Sequence, residues 1–364
     1  MLDKKYYSKL IHSVFKKFLA LKESPISELS NPKNILVVRQ HNQLGDLLAG
    51  VSLLRAIKEK YPNSRTTILV SPDNYFGLIK NKFIHELFIF NKRKLLLPNY
   101  FIKLYKTLRK EYDIAIVPVT VSISFTSNLL CRLSNARVRI GPRSLDGKQN
   151  ESDYLFDNLV DIDWRKFPDS NVADRVLDIV RPFGIYTNNF RSEISYDEKD
   201  VESANEFLKT LNTNPKDIVI GFHCGAGKKQ NRWSLLKYVE LIKLLNQEYE
   251  TKMYLTGSNS DNEEINYVVK HVPFKLGLFL NKSIPEVAAL ISKSTLFISN
   301  DTGIMHVAGT TYTPQISVFG PTNPLNWAPI GENKYYIRKS DLIDDVLLED
   351  VYGLCKTILE KIKI

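Results

Sequence analysis

From Asn34 onward, short apolar runs of strand length alternate with segments of helical period, and this pattern occurs twice along the chain. The first series opens with the strand Asn34–Arg39, a polar loop and a helix from about Asp46 to Lys60 that Tyr61-Pro62-Asn63 closes. Strands at Thr66–Val70, Leu87–Phe90, Ile114–Val117 and Arg137–Ile140 follow, with a helix over Tyr100–Lys110 and another over Val172–Phe183. After the polar stretch Ile185–Ser195 the pattern restarts. Strands at Ile218–Phe222, Lys252–Leu255, Phe274–Leu278 and Leu296–Ser299 are separated by helices at about 198–211, Ser234–Gln247, 261–270 and Ile284–Ser292. Strand–helix alternation of this kind produces a parallel sheet covered by helices on both faces. Two such units in series predict an α/β protein of two doubly wound, Rossmann-like domains whose strand ends face a cleft. The expected organisation is a basic N-terminal helix over 1–30, one domain over 31–190, a second over 191–341 and a terminal helix over 342–364.

At 364 residues the chain is long enough for two cores. Three widely spaced cysteines, Cys131, Cys224 and Cys355, form no metal-like pattern and favour a reducing, cytoplasmic setting. The net charge of +10 implies an anionic partner: nucleic acid, acidic lipid or a phosphorylated substrate. No apolar run of about 18 residues is present, so no membrane span is expected. Over residues 1–22, Lys4, Lys5, Lys9, Lys16, Lys17 and Lys22 interleave with apolar residues, unlike the unbroken core of a secretory signal. The segment reads as a basic amphipathic helix that either lies on an anionic membrane surface or packs on its own first domain.

The polar turns that follow the strands carry the chemistry. Ile298–Ser299 runs into Asn300-Asp301-Thr302-Gly303 and then a helix bearing His306. Such a strand-to-helix turn presents backbone N–H groups, Asp301 or Thr302 can cap the helix, and Gly303 admits close approach of a ligand. A second Gly-rich turn, Phe319-Gly320-Pro321-Thr322, ends the strand begun at Gln315, and two such turns at one sheet edge suggest a phosphate or nucleotide site. The strand Ile218–Phe222 leads into Gly225, Ala226, Gly227, Lys228, Lys229, Asn231 and Arg232, small residues followed by cations suited to a diphosphate. It is no P-loop, because no Gly-Lys-Ser/Thr run opens the helix. His223 and Trp233 read as packing residues. Gly257 with Asp261 makes a third turn, where the acid either accepts hydrogen bonds from a ribose or caps the next helix. Near the N-terminus, Asn42, Gly45 and Asp46 follow the first strand. Asp46 is either a helix cap or a carboxylate at a sheet edge able to take a proton from a hydroxyl.

Taken together and in order, these residues resemble the bacterial heptosyltransferase family, glycosyltransferase family 9. The resemblance spans roughly residues 34 to 335 and rests on Leu44-Gly45-Asp46, Gly225-Ala226 with Arg232-Trp233, Gly257 with Asp261, Asn300–Gly303 with Met305–Ala308, and Phe319–Pro324. It implies a GT-B fold, with acceptor bound mainly by the first half, at Gly45 and Asn42, and nucleotide-sugar by the second. It implies inverting transfer, without cofactor or metal, from an ADP-activated heptose to a phosphorylated lipopolysaccharide-core glycolipid. Asp46 would be the general base, Asp301, Thr302, Gly303 and His306 would hold sugar and diphosphate, and Asp261 would bind ribose. One departure stands out: many members carry a lysine two residues before the loop tryptophan, where this chain has Asn231, leaving Lys228, Lys229 or Arg232 to supply that charge. A protein of this kind would work in the cytoplasm, peripheral to the inner membrane face. The competing readings are a non-catalytic nucleotide-sugar or glycan-binding protein, a transferase using another nucleotide-sugar, and a dehydrogenase. The last is disfavoured because the first strand's turn lacks Gly-x-Gly-x-x-Gly. No recognisable nucleic-acid module accompanies the positive charge.

Overall fold

A computed structural model describes residues 14–26, 29–40 and 43–362. The chain divides into two compact units, one comprising Met1–Tyr75 and Lys82–Phe190, the other Phe76–Asn81 and Arg191–Ile364.

The first unit is built on β1 (Asn34–Arg39), β2 (Arg65–Val70), β3 (Glu86–Ile89), β4 (Tyr112–Ile116), β5 (Ala136–Leu145), β6 (Lys148–Gln149) and β7 (Asn158–Ile162). They lie in the order β3-β2-β1-β4-β5, with β7 parallel to β5 and the short β6 folded back antiparallel on it. β1 is central and buried from Ile35 to Arg39, and its Ile35–Val38 run is apolar on both faces, as a strand covered by helices on both sides requires. Leu36 and Val38 face a core shared with Leu104, Leu108, Leu130 and Cys131 from the helices Pro98–Leu108 and Phe125–Leu133. The turn after Phe183 requires a left-handed residue, which Gly184 supplies at φ +65°.

Local outcomes differ from the sequence expectation at several points, and the strand expected over Phe274–Leu278 runs instead over Gly277–Leu280. The helix expected over Asp46–Lys60 is broken into Leu44–Ala49 and Val51–Lys60. The carbonyl of Asp46 accepts both the Gly50 N–H (3.2 Å) and Nη2 of Arg39 (2.8 Å), and a side chain inserted into the helical ladder is a recognised cause of a kink. The segment Val172–Phe183 keeps only one α-turn, Val172–Arg175, before a 3-10 turn at Arg181–Phe183. The C-terminal helix starts at Leu348 rather than Leu342, after a 3-10 turn at Ile343–Asp345.

The N-terminal segment lies partly outside the described residues. Its described part is helical over 14–19 and packs on the first unit: Phe15 meets Phe125 at 5.8 Å between ring centroids, and Arg132 Nε donates to the Leu19 carbonyl at 2.6 Å. Residues 1–13, which carry Lys4, Lys5 and Lys9, fall outside.

The second unit repeats the plan with β8 (Ile218–His223), β9 (Thr251–Gly257), β10 (Gly277–Leu280), β11 (Leu296–Asn300), β12 (Gln315–Val318) and β13 (Lys334–Ile337). All pairs are parallel, in the order β10-β9-β8-β11-β12-β13. Alternate residues of β8 serve opposite faces. Ile220 and Phe222 join a core with Tyr238, Leu241, Leu245, Val268 and, from the last helix, Val351, Cys355 and Ile358. On the other face Phe207, from the helix Glu198–Thr210, packs on Phe279 with centroids 4.9 Å apart. Ser203 donates to Glu286 at 2.6 Å and ties that helix to Ile284–Ile291. Among the described residues no helix is long and apolar enough to cross a membrane.

Candidate active site

In the second unit the parallel registry aligns the C-terminal ends of β8, β9, β11 and β12 along one edge. The loops that leave this edge contain Gly225–Arg232, Gly257–Asp261, Asp301–Gly303 and Phe319–Thr322. The structure therefore brings all the sequence-derived donor residues of this unit to one sheet edge, in the region where doubly wound folds bind ligands.

Asn300, wholly buried at the end of β11, fastens two of these loops together. Its Nδ2 donates to the carbonyls of Cys224 (2.9 Å) and Gly225 (3.3 Å), and its Oδ1 accepts from the Trp233 N–H (3.2 Å) and the Tyr238 hydroxyl (3.0 Å). An amide is suited to this position because it alone offers donors on one side and an acceptor on the other. Trp233 is fully buried, its indole N–H donating to the Val346 carbonyl, and His223 is buried with Nδ1 3.0 Å from the Thr256 carbonyl; both are packing residues.

The cationic loop is organised by one of its own cations. Arg232 Nε donates to the Ala226 carbonyl at 2.8 Å, and Nη1 forms an ion pair with Glu264, whose side chain is almost wholly buried. Lys228 and Lys229 are exposed. Asn231 is buried and donates through Nδ2 to Asp301 Oδ2 at 2.8 Å. Asp301 is thus not spent on capping its helix, and neither is Thr302, which occupies the N-cap position without a side-chain cap bond. Burial pushes the Asp301 carboxyl above its ordinary value, while a hydrogen bond to Thr322 and the nearby Lys228 charge pull it back.

Asp261 serves its own turn. Its Oδ2 accepts from the Ser258 N–H (2.8 Å) and hydroxyl (2.9 Å), and Oδ1 lies so close to Gly225 that any side chain there would collide with it. Gly225 is required by this approach of two loops, and Gly257 borders the same carboxylate. His306, in the helix Gly303–Gly309, is buried with its ring edge-on to Trp327, and burial holds its imidazole down to about 4. It is therefore a neutral hydrogen-bonding group near pH 7. Behind it, Arg191 Nη2 donates to the Thr310 carbonyl (2.8 Å), and Lys334 Nζ, its amine pushed down to about 7 by burial, donates to those of Ala308 (3.0 Å) and Thr313 (2.7 Å) at the end of the helix.

In the first unit, Gly45 and Asp46 lie in the first turn of the helix Leu44–Ala49, at the C-terminal edge of β1. The N-cap is Gln43, so Asp46 does not cap this helix. It is buried, as is Arg39, whose charge is coupled to the Asp46 carboxylate and whose Nη2 also donates to Thr120 at 3.0 Å. Asn42 lies outside the described residues. Neither Arg39 nor Asn300 was singled out for a role from sequence. Asn300 stood inside a recognised turn, but its work shows only in what it bonds across the fold.

Residues 101–344 match the family model for glycosyltransferase family 9, the heptosyltransferases. The chain belongs to this family. It is a glycosyltransferase. Lipopolysaccharide heptosyltransferase 3 of Escherichia coli is 26% identical over 300 residues, covering 79% of this chain and 84% of the relative. Lipooligosaccharide heptosyltransferase 2 of Haemophilus influenzae is 24% identical over 335 residues, covering 84% of this chain and 88% of the relative. Among solved structures, a family 9 glycosyl transferase from Veillonella parvula superposes with a TM-score of 0.78 at 20% identity, over 90% of this chain and 98% of that one. The E. coli ADP-heptose lipopolysaccharide heptosyltransferase II superposes with a TM-score of 0.73 at 20% identity, over 91% and 100%. The two parallel-sheet units of this glycosyltransferase are those of the GT-B fold.

Proposed function

We propose that this glycosyltransferase moves a heptose from an ADP-linked donor, with inversion, onto a phosphorylated glycolipid of the lipopolysaccharide-core type. The observation that carries this reading is the joined set of donor loops in the second unit, in which small residues, cations and a buried acid converge on one edge. The relatives named as lipopolysaccharide heptosyltransferases, and the solved E. coli heptosyltransferase with ADP at a TM-score of 0.67, support the choice of sugar and nucleotide.

Inverting transfer needs a base to take the acceptor hydroxyl's proton as oxygen attacks the anomeric carbon, and fixed charge to stabilise the departing diphosphate. Asp46 is assigned as the base. Its charge is held beside Arg39 on a helical turn rather than on a long loop. Lys228 and Lys229, with the N–H groups of Thr302 and Gly303, are assigned to the diphosphate, without a metal ion. Arg232, engaged with Glu264 and Ala226, shapes the loop that presents those lysines. Asp301 and neutral His306 are assigned to sugar hydroxyls, Asp261 to the ribose, and Gly45 and Asn42 to the acceptor. Gly225, Ala226 and Gly257 keep the loops low enough for the donor to approach.

Transfer assayed with ADP-, UDP- and GDP-sugars, alongside donor-dependent thermal shift, tests the reading. ADP and ADP-heptose should raise the melting temperature, NAD should not. Asp46→Asn should lower kcat by at least a hundredfold and leave the Kd for ADP within about threefold. Equal loss of donor affinity and turnover in a folded Asp46→Asn variant would remove Asp46 from the role of base.

A further inference from the structure

The link from β3 to β4 carries a surface that the sugar-transfer chemistry does not use. From Asn91 to Lys110 it contains no Asp or Glu, and it contains seven exposed lysines and arginines: Lys92, Arg93, Lys94, Lys103, Lys106, Arg109 and Lys110. Of the seven, only Lys110 has an acidic partner among the described residues, Glu86. Interleaved with them are large apolar side chains facing solvent. Leu96 is 94% exposed, and Leu97, Phe101, Ile102 and Tyr105 are about half exposed. The opposite side of the helix Pro98–Leu108 explains its own hydrophobicity, because Leu104 and Leu108 fill the core of the unit. Among the described residues the solvent side has no such explanation.

This surface is held in place rather than loose. The Tyr100 hydroxyl accepts the Asn91 N–H (2.6 Å) and donates to the Ile89 carbonyl (3.0 Å), its ring packs 5.7 Å from Phe88, and Asn91 Oδ1 caps the turn at the Arg93 N–H (2.9 Å). Its position in the unit is also informative. Ile89 ends β3 in register with Val70 of β2, and Val70 is in register with Arg39 at the end of β1. The Lys92–Leu97 segment therefore leaves the same sheet edge as Gly45 and Asp46, two strands and roughly 10 Å away.

We propose that the surface formed by residues 92–109 docks the enzyme on an anionic bilayer, with Leu96, Leu97, Phe101 and Tyr105 entering the headgroup boundary and the flanking cations meeting lipid phosphates. Six cations with no interspersed acid complement a negatively charged surface, and exposed aliphatic and aromatic side chains supply the apolar contact that a purely ionic partner would not reward. The choice of a bilayer rests on the glycolipid-acceptor reading, since a lipid-anchored acceptor must be reached from the membrane plane. Docking places the Asp46 edge of the first unit near that plane.

The test is co-sedimentation of the full chain with vesicles of phosphatidylethanolamine and phosphatidylglycerol at 3:1, and of phosphatidylcholine alone. Binding to the anionic vesicles that weakens with salt, and none to phosphatidylcholine, is expected. Each lysine or arginine near an anionic surface is worth about fivefold in partitioning, so Arg93→Gln/Lys94→Gln/Lys106→Gln should lose on the order of a hundredfold. Leu96→Ser/Phe101→Ser/Tyr105→Ser should lose at least tenfold, at exposed positions where folding is little affected. Lys16→Gln/Lys17→Gln/Lys22→Gln, on the N-terminal segment, should retain most of the binding. Two folded surface variants that partition like the parent, or loss confined to the N-terminal variant, would overturn the proposal. So would a dimer in sedimentation velocity that the serine variant dissolves with vesicle binding unchanged. Vesicle binding needs no sugar donor, so a failed transfer assay with intact docking separates the two readings.

Discussion

Replacing Asn300 by alanine measures how much of the donor edge depends on one side chain. The substitution removes the partner of the Cys224 and Gly225 carbonyls and of the Trp233 N–H, all at a fully buried position. The Tyr238 hydroxyl also loses a partner but lies 3.4 Å from the His223 carbonyl and can turn to it. Three groups are therefore left without a bond. At about 1–1.5 kcal/mol for each, the second unit should lose about 3–5 kcal/mol. For a unit of this size that corresponds to a fall of roughly 10–15 °C in its melting temperature. The neighbouring Ser299 provides the control. It is equally buried, but its hydroxyl makes no hydrogen bond, so Ser299→Ala should change stability by less than about 1 kcal/mol in either direction. Scanning calorimetry reads both, and ADP titration of the folded Asn300→Ala protein at low temperature should show weakened binding as Gly225 drifts from Asp261. A loss below about 1 kcal/mol for Asn300→Ala, or equal losses for the two variants, would show that Asn300 does not hold the loops together.

Arg232→Ala strands the buried Glu264 carboxylate, and after discounting for the partly exposed arginine should cost about 2–4 kcal/mol; Arg232→Ala/Glu264→Gln should recover much of this, and a double-mutant cycle without coupling would refute the pairing. His306 predicts an acid-dependent loss of stability. Its imidazole is held at about 4 in the folded protein against an ordinary 6.5, so the unfolded chain takes up the proton first. Stability is then full above pH 6.5 and falls as pH drops toward 4, by about 3 kcal/mol over that interval. His306→Gln should flatten this part of the urea-midpoint profile, and an unchanged slope would exclude the histidine as its source.

The alternation of apolar runs with helical segments was enough to place most central strands, because a strand covered on both faces carries an unbroken apolar run, as Ile35–Val38 and Leu296–Ile298 do. The edge strand Glu86–Ile89 was legible as an apolar run, but two others were not. Asn158–Ile162 and Lys334–Ile337 mix polar and apolar residues and become strands only because a neighbour offers them backbone partners. The residue types of the donor loops were visible too, since glycines, cations and acids after a strand have few other uses. Their division of labour was not. Sequence made Arg232 one of three interchangeable cations and Asn231 a missing lysine; the fold turns Arg232 inward to Glu264 and gives Asn231 to Asp301. Sequence also left Asp46 open as a helix cap, and only the path of the backbone, with Gln43 at the cap and Arg39 beneath the turn, removed that alternative. Hydrophobic periodicity is local and survives in one dimension. Hydrogen-bond partners separated by tens of residues are chosen by how the strands are ordered, so their pairing exists only once the sheet does.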